Sequence, residues 1–240
     1  MLTLFFIDVI PNTNSLLIEG DEAHHAINVL RIKSGEEILI SDGTGNWVRA
    51  AVGTIAKKNF SAEIIERGQQ VAIKPKLTVL QALPKSDRTK EAIELLVQAG
   101  VDEIIPWAAE RSIAKAKSDT SDKWQVGAIA AAKQARRFII PKVSPTIGLS
   151  DFLSSRVNNA ALLVFHESAT SKLSSIVSSK MNEAAEIIIV IGPEGGISNS
   201  ELSLFEKGGG VVVQMGEPVF RSAHAGAAAL SAISALLGRW

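Results

Sequence analysis

The chain has 240 residues, of which 25 are basic and 25 are acidic, and it contains no cysteine. The absence of cysteine excludes disulfide bonds and thiolate metal sites. Hydrophobic residues make up 46% of the chain, enough for a substantial core, which excludes a largely disordered protein. No apolar run approaches the ~20 residues of a membrane-spanning helix, and the apolar part of the first segment, MLTLFFIDVIP, is too short for a secretory signal. We therefore expect a cytoplasmic protein without a membrane span.

Residues 1–72 are predicted to form a small β-rich domain. Short β-prone segments such as LTLFFI, EEILISD and WVRAAVGTIA follow one another, and the glycine-containing segment at 43–46 between two of them is typical of a hairpin. One helix interrupts the strands, because Asp21 can cap the segment EAHHAINVLR, which has apolar residues at helical spacing. This succession of short strands with a single helix predicts a barrel-like domain.

Two adjacent histidines, His24 and His25, lie in this predicted helix. Neighbouring residues of a helix point about 100° apart, so the pair is poorly arranged to chelate a metal ion. With four histidines and no cysteine in the chain, we expect no metal site. We expect one of the two side chains to be packed and the other to be exposed.

Residues 73–240 are predicted to form an α/β domain. After VAIKPK, a linker in which Pro75 stops regular structure, apolar segments alternate with helix-forming ones. Continuous apolar strands separated by helices are typical of a parallel sheet covered on both faces. The predicted strands are LTVLQAL, VDEIIP, ALLVF, EIIIVI and VVVQM, and the predicted helices are DRTKEAIELLVQAG, DKWQVGAIAAAKQARRF and AHAGAAALSAISALL.

The segment IVIGPEGG ends one of these strands and finishes at Gly196. Ligands of open parallel sheets bind beyond the carboxyl ends of the strands, and glycines let the backbone turn sharply and approach a bound molecule. The segment lacks the spacing of the dinucleotide fingerprint and the Gly-Lys-Ser/Thr of a phosphate-binding loop. It is therefore either a ligand-binding loop or a tight strand-to-helix turn, and the capping box of Ser198 and Glu201 opens the next helix.

A second glycine-bearing turn, in VVVQMGEPVFRSAHAGAAAL, follows the last predicted strand. Two such turns after two late strands of a parallel sheet are expected to lie side by side and to form one pocket. IGPEGGISNSE followed by MGEPVFRSAHAGAAALSAI resembles the C-terminal signature of the RsmE family, the uridine-N3 methyltransferases of 16S, small-subunit ribosomal RNA. The segments DEAHHAINVLR, LPKSDRTKEAIELLVQAGVDEIIP, AAKQARRFIIPKV and FHE match other parts of this family in order, so the resemblance spans nearly the whole chain.

The resemblance implies a fold, a cofactor and partners. It implies a PUA-like RNA-binding β-barrel at 1–72, a SPOUT-type, trefoil-knotted methyltransferase domain with a parallel sheet at 73–240, and a homodimer. The partner would be small-subunit ribosomal RNA or the assembled subunit, and the cofactor would be S-adenosylmethionine, without a metal ion. A branched side chain at Gly195 should then fill space meant for the cofactor. The residues implied to hold it are Phe165, Glu167, Ile191, Gly192, Glu194, Gly195, Gly196, Met215, Gly216, Val219, Phe220 and Arg221.

Arg221 is the implied catalytic residue. Uracil N3 becomes nucleophilic as its proton leaves, negative charge spreads to O2 and O4, and a fixed guanidinium near these oxygens stabilises that charge. The alternative is that Arg221 pairs with Glu194 or Glu217. At 222–225 the chain has Ser-Ala-His-Ala where the family commonly has Thr-Glu-Thr-Ala. This departure removes a carboxylate and adds His224, which is either a general base or a histidine on the helix surface.

Basic residues are concentrated between Arg111 and Lys142, where there are eight of them against two acidic residues. Such a segment is either a patch for a polyanion or an ordinary solvated surface. Aromatic residues make up only 5% of the chain, so we expect recognition of RNA by shape and charge rather than by stacking on many bases. The residues expected to contact RNA are Arg31, Lys85, Arg88, Gln134, Arg136 and Arg137. The alternative functions are a catalytically weak RNA-binding protein of the same fold and a related methyltransferase with another RNA target.

Overall fold

The computed structural model describes residues 2–156, 159–177, 181 and 183–240. The chain divides into two compact units, which are described separately. The first contains Met1–Ala72 and Ala132–Ile140, and the second contains Ile73–Ala131 and Pro141–Trp240. The sequence placed Ala132–Ile140 in the second domain, whereas this segment makes its contacts with the first unit.

The first unit is built on a five-stranded sheet with the strand order β1-β3-β4-β5-β2. Its pairs are antiparallel apart from β1 and β3, which run parallel. Alternate side chains along β4 are buried, because successive residues of a strand face opposite sides of the sheet. The strands are β1 (Leu4–Phe6), β2 (Ser15–Ile18), β3 (Glu37–Ser41), β4 (Asn46–Ile55) and β5 (Phe60–Gln69).

The segment Ala132–Ile140 is attached to this sheet at the hairpin between β3 and β4. The rings of Trp47 and Phe138 stack with their centroids 5.0 Å apart and their planes 13° apart. The Ser41 hydroxyl donates a hydrogen bond of 2.9 Å to the carbonyl oxygen of Phe138. These contacts join residues far apart in sequence, so no local pattern predicts them.

The helical segment of the first unit differs from its prediction. Helix α1 (Gly20–His24) is followed directly by a π-helical turn (His25–Leu30), and its N-cap is Glu19, which makes no side-chain capping bond. Asp21, the predicted cap, lies inside the first turn. His24 and His25 are both exposed, so the expectation that one of them is packed was wrong.

The second unit is built on a six-stranded sheet with the strand order β11-β9-β10-β6-β7-β8. All of its pairs are parallel, as the sequence predicted. The strands are β6 (Lys76–Ala82), β7 (Glu103–Trp107), β8 (Lys142–Val143), β9 (Ala160–Phe165), β10 (Glu186–Ile191) and β11 (Val211–Val213). The helices are α2 (Thr89–Gln98), α3 (Thr120–Gln134), α4 (Leu149–Ser155), α5 (Leu173–Ile176), α6 (Asn199–Lys207) and α7 (Ser222–Leu236), and a 3₁₀ turn spans Ser86–Arg88.

Both faces of the sheet are covered, which explains why its central strands have continuous apolar sequences. Five of the six residues of β10 are buried, as expected for a strand between two layers. Helices α2 and α7 pack against each other and approach closely at Gly226. A Cβ added to Gly226 would lie 2.6 Å from Cδ2 of Leu96, so glycine allows this approach without displacing the Leu96 side chain.

At the amino end of the sheet, a nearly buried carboxylate holds several polar groups together. Glu103 accepts hydrogen bonds from the Lys76 ammonium and the Ser144 hydroxyl, and its Oε1 lies 3.4 Å from Nζ of Lys142. Burial acts to raise the pKa of Glu103, but the bonds from Lys76 and Ser144 outweigh it, so this pKa lies below its ordinary value. The carboxylate is therefore more strongly stabilised in the folded than in the unfolded chain.

We expect Glu103→Gln to lower the free energy of unfolding at neutral pH by about 1.5–3 kcal/mol, the usual contribution of hydrogen bonds to a charged group. Because folding lowers the pKa of Glu103, its stabilisation is complete above the unfolded-state pKa and is lost as pH falls through the folded-state pKa. Urea unfolding of both proteins between neutral pH and about pH 3 measures this difference. A difference that stays constant over that range would contradict the prediction.

Candidate functional site

A cavity of about 750 Å³ opens at the carboxyl end of the parallel sheet. Its walls come from the segments that follow β6, β7, β9, β10 and β11. Every residue that the resemblance assigned to the cofactor lies in its lining, namely Phe165, Glu167, Ile191, Gly192, Glu194, Gly195, Gly196, Met215, Gly216, Val219, Phe220 and Arg221. The structure thus brings these residues together, while their role in binding a cofactor stays a prediction.

Sequence reasoning missed several lining residues. Arg111 follows β7, Asn199 begins α6, and His166 and Gln214 follow the ends of β9 and β11. The parallel arrangement offered a signal for some of them, because the first residues after each strand meet at one edge of the sheet. Arg111 lies four residues beyond Trp107, the last residue of β7, and no pattern in the sequence indicates that the chain returns there.

The first glycine-bearing loop, Gly192–Gly196, is held in a tight turn. The amide of Gly196 donates a hydrogen bond of 2.9 Å to the carbonyl of Pro193, and Gly196 has a φ of 74°, a left-handed conformation that favours glycine. A Cβ on Gly195 would lie 3.2 Å from Cβ of Arg111. The space for a side chain at position 195 is therefore limited by the adjacent Arg111 segment as well as by a ligand, whereas the sequence suggested only the ligand.

The end of this loop is joined to the segment after β7 by a polar cluster. Ser198 and Glu201 form the predicted capping box of α6, and Glu201 Oε1 also accepts a hydrogen bond of 2.7 Å from the amide of Glu110. The Glu110 carboxylate accepts hydrogen bonds from the hydroxyls of Ser198 and Ser200, which lower the pKa of Glu110. Arg111 donates a further bond of 3.2 Å to the carbonyl of Gly195. The cluster fixes one wall of the cavity.

The second glycine-bearing loop runs from Gln214 to the start of α7. The Gln214 side chain donates a hydrogen bond of 3.1 Å to the carbonyl of Glu167, which connects the ends of β11 and β9. The hydroxyl of Ser222 donates a bond of 2.7 Å to the carbonyl of Gly192. The two loops are therefore tied to each other directly, as the pocket hypothesis requires.

Arg221 lies at this junction and is exposed. It occupies the N-cap position of α7 with extended backbone. Among the residues that the structure describes, its guanidinium has no hydrogen-bond or ion-pair partner. Glu194, one of its suggested partners, instead accepts a hydrogen bond of 3.2 Å from the backbone amide of Lys85. The alternative of an Arg221 ion pair with Glu194 or Glu217 is thus not observed.

His224 does not belong to the cavity lining. Its Nε2 lies 3.0 Å from Oε1 of Glu91, and the other carboxylate oxygen of Glu91 accepts a bond of 3.0 Å from Arg88. The hydrogen bonds from His224 and then Arg88 lower the pKa of Glu91. Of the two interpretations of His224, the helix-surface position agrees with the structure, and a general base inside the cavity does not.

The residues expected to contact RNA are divided between the two units. Lys85 and Arg88 belong to the second unit and line the cavity. Arg31 and Arg136 have left-handed backbone conformations, with φ values of 56° and 53°. Arg31 ends the π-helical turn, and Arg136 lies two residues beyond α3, which ends at Gln134 instead of continuing to Phe138 as predicted. Arg31, Gln134, Arg136 and Arg137 all belong to the first unit.

The described part of the chain contains no group of three or more His, Asp or Glu side chains placed to hold a metal ion. None of its helices combines the length and the apolar character needed to cross a bilayer.

Comparisons with known proteins cover both units. A family model described as an RNA methyltransferase domain matches residues 72–234, and one described as an RNA methyltransferase PUA domain matches residues 18–65. The ribosomal RNA small subunit methyltransferase E of Mycobacterium tuberculosis is 36% identical over 247 residues, which cover 99% of this chain and 93% of that protein. The protein of the same name from Bacillus subtilis is 28% identical over 226 residues, which cover 90% and 88%.

Solved structures give the same result. The crystal structure of ribosomal RNA small subunit methyltransferase E from Neisseria gonorrhoeae, bound to S-adenosyl methionine, matches with a TM-score of 0.88 and 26% identity, covering 98% of each chain. The PUA-like β domain and the parallel-sheet α/β methyltransferase fold are confirmed, whereas the trefoil knot stays a prediction. The resemblance drawn from the glycine-bearing motifs is likewise confirmed, and the chain is an RNA methyltransferase of the RsmE family.

Proposed function

We propose that this enzyme methylates N3 of a uridine in 16S ribosomal RNA of the small subunit, with S-adenosylmethionine as the methyl donor. One observation carries the proposal. Two glycine-bearing loops are tied together by the bond from Ser222 to Gly192, and they enclose a cavity beside the guanidinium of Arg221, which has no partner among the described residues. The names of the relatives support small-subunit ribosomal RNA as the substrate.

The cavity suits a ligand of the size and polarity of S-adenosylmethionine. Its volume of about 750 Å³ lies within the range of roughly 300–1,000 Å³ that is usual for cofactor sites. Main-chain groups of Gly192–Gly196 and Met215–Gly216 would hold the adenine and ribose, and the exposed side chains of Val219 and Phe220 offer apolar contact. When bound, the cofactor supplies an electrophilic methyl group on a sulfonium sulfur.

Arg221 would stabilise the nucleophile. As uracil N3 loses its proton, negative charge develops on O2 and O4, and a guanidinium held beside these oxygens lowers the energy of the transition state. Arg221 is suited to this role because its backbone begins α7 while no described side chain engages its guanidinium. Its charge is therefore available to a substrate.

We propose further that Lys85 and Arg88 bind RNA phosphates at the cavity, and that Arg31, Gln134, Arg136 and Arg137 contact RNA from the first unit. Lys85 is exposed, and the positions of Lys85 and Arg88 in the lining support contact with RNA that carries its target base into the site. With aromatic residues at 5% of the chain, shape and charge are the main means of recognition.

The resemblance supports two more properties, a homodimeric state and a cytoplasmic location. The exposed apolar side chains of Leu236 and Trp240 are the kind of surface that a second copy covers. Sedimentation equilibrium tests the homodimer, and a monomer at micromolar concentration would contradict it.

A catalytically weak RNA-binding protein is the second candidate, and the Ser-Ala-His-Ala departure at 222–225 motivates it. Calorimetric titration with S-adenosylmethionine separates the two functions. We expect the enzyme to bind the cofactor. A protein that binds ribosomal RNA but not the cofactor would favour the second candidate.

The modified nucleotide is tested in cells that lack this protein. We expect mass-spectrometric mapping of their small-subunit ribosomal RNA to show the loss of one N3-methyluridine, and the purified enzyme to restore it. Naked RNA and assembled subunits, offered separately, identify the substrate. Loss of a methyl group from another base or from another RNA would contradict the proposed target.

We expect Arg221→Ala to lower turnover by about 10²–10³-fold, the usual effect of removing one group that stabilises developing negative charge. The unfolding midpoint should change little, because no described side chain depends on this guanidinium. Lys207→Ala, which removes an exposed cation of α6 outside the lining, is the matched control. Turnover of Arg221→Ala equal to that of the control would remove Arg221 from the mechanism.

We expect Lys85→Gln to weaken RNA binding at every sequence tested. The slope of log affinity against log salt should decrease in magnitude by about 0.7–0.9, because one phosphate contact is lost. Fluorescence anisotropy with a labelled ribosomal RNA fragment measures the slope, again with Lys207→Gln as the control. Identical slopes for the two variants would show that Lys85 contacts no phosphate.

A further inference from the structure

Gln81 is a fully buried polar residue whose side chain is only partly satisfied. It lies near the end of β6 with 0% of its surface exposed. Its amide nitrogen donates hydrogen bonds of 3.1 Å to the carbonyl of Ala82 and 3.2 Å to the hydroxyl of Ser222. Its Oε1 is buried and has no partner in the described part of the chain. A buried polar atom without a partner is destabilising, and this cost offsets part of what the two donated bonds contribute to stability.

The bond to Ser222 continues into the cavity wall. The single hydroxyl proton of Ser222 is donated to the carbonyl of Gly192 at 2.7 Å, so the hydroxyl oxygen can only accept from Gln81. The carbonyl of Ala82 also only accepts. Both neighbours therefore require the amide nitrogen of Gln81 to face them, and the unpartnered Oε1 is the unavoidable result.

This chain of donors links three parts of the site. Gln81 belongs to β6, Gly192 begins the first glycine-bearing loop, and Ser222 directly follows Arg221 at the start of α7. Helix α7 lies close to the side chain of Gln81. A Cβ on Gly226, one turn beyond Ser222, would lie 3.3 Å from Oε1 of Gln81. The side chain of Gln81 is thus confined between the sheet and the helix that carries Arg221.

We infer that Gln81 is a positioning residue for methyl transfer. Acting through Ser222, it fixes the first glycine-bearing loop against the start of α7, and it thereby fixes the cofactor loop relative to Arg221. The inference rests on the proposed function of this cavity. It explains why a side chain that leaves an oxygen unsatisfied occupies a core position, since local destabilisation of this kind is expected at functional sites.

Gln81→Met tests the inference because methionine is also unbranched and similar in length but cannot donate a hydrogen bond. We expect the unfolding midpoint to stay equal or rise. We expect the Kd for S-adenosylmethionine to rise about tenfold, and turnover to fall by about ten- to a hundredfold, as misplacement of reacting groups commonly does. A purely structural role predicts the opposite, with a lower midpoint and unchanged affinity and turnover in the protein that remains folded.

Thr78→Val provides the matched control on the same strand. Thr78 is equally buried, but its hydroxyl donates to Glu186 at the amino end of the sheet, away from the cavity lining. We expect this variant to lose stability and to keep its cofactor affinity and turnover. Thr78→Val should therefore change stability but not function, and Gln81→Met should change function but not stability.

Ser222→Ala tests the route of the effect. If Gln81 acts through Ser222, the two substitutions remove one shared interaction, so the double variant should lose no more affinity than the worse single variant. Additive losses would show that Gln81 acts by another route and would overturn the inference.

Hydrogen exchange without any ligand separates this inference from the proposed function. We expect the amides of Gly192 and of residues 194–197 to exchange faster in Gln81→Met than in the unaltered protein, which directly tests whether Gln81 restrains the loop. Unchanged exchange, or unchanged affinity and turnover in Gln81→Met, would overturn the inference. If the unaltered protein failed to bind S-adenosylmethionine while Gln81→Met still showed faster exchange, the proposed function would fail and the hold on the loop would stand.

Discussion

The site depends on the common direction of the six strands in the second unit. Because every pair in this sheet is parallel, the carboxyl ends of all its strands meet at one edge. The register then sets the details. Ile191 of β10 lies beside Gln81 of β6 and beside Phe165 of β9, which in turn lies beside Val213 of β11. The loops that follow these strand ends therefore surround one common cavity.

The polar groups discussed at the two ends of this sheet differ in whether they have partners. At the amino end, Glu103 and Glu186 are paired with Lys76, and the charges there stabilise the fold. At the carboxyl end, Arg221 is left without a partner among the described residues, and Gln81 keeps an unsatisfied oxygen in the core. The paired groups serve stability, whereas Arg221, which lines the cavity, is available to a ligand.

Much of this site was predictable from the sequence because its motifs are local. The glycines of Gly192–Gly196, followed by the capping box of Ser198 and Glu201, specify a turn and a helix start within a few residues. The parallel-sheet interpretation of the apolar strands then places the end of β11 at the same edge of the sheet as this turn, with β9 between the two strands. What the sequence did not supply are contacts between distant segments, such as that of Arg111 with Gly195.

The same limit explains the errors in the first unit. The stacking of Phe138 on Trp47 draws residues 132–140 to a sheet that ends about 60 residues earlier in the chain, and a reading in chain order assigns them to the nearer domain. The π-helical turn at His25–Leu30 has no established sequence signature. Both histidines are exposed, although helical spacing alone predicted that one is packed.

The distribution of partners also explains how a protein with no net charge can bind a polyanion. Four cations line the cavity, Lys85, Arg88, Arg111 and Arg221, but they are not equivalent. Arg88 pairs with Glu91, and Arg111 donates to the carbonyl of Gly195, so each already makes an interaction within the cavity wall.

Lys85 and Arg221 differ from these two arginines, because neither has an ion-pair partner in the described part of the chain. Interactions between charges that are separated by more than about 8 Å are largely screened at physiological salt, so the balance of the whole chain has little influence inside the cavity. The positive charge available to a nucleic acid in the cavity therefore depends on which cationic side chains are already paired. The ammonium of Lys85 and the guanidinium of Arg221 are therefore the most available to the nucleic acid, whereas a phosphate at Arg88 competes with Glu91.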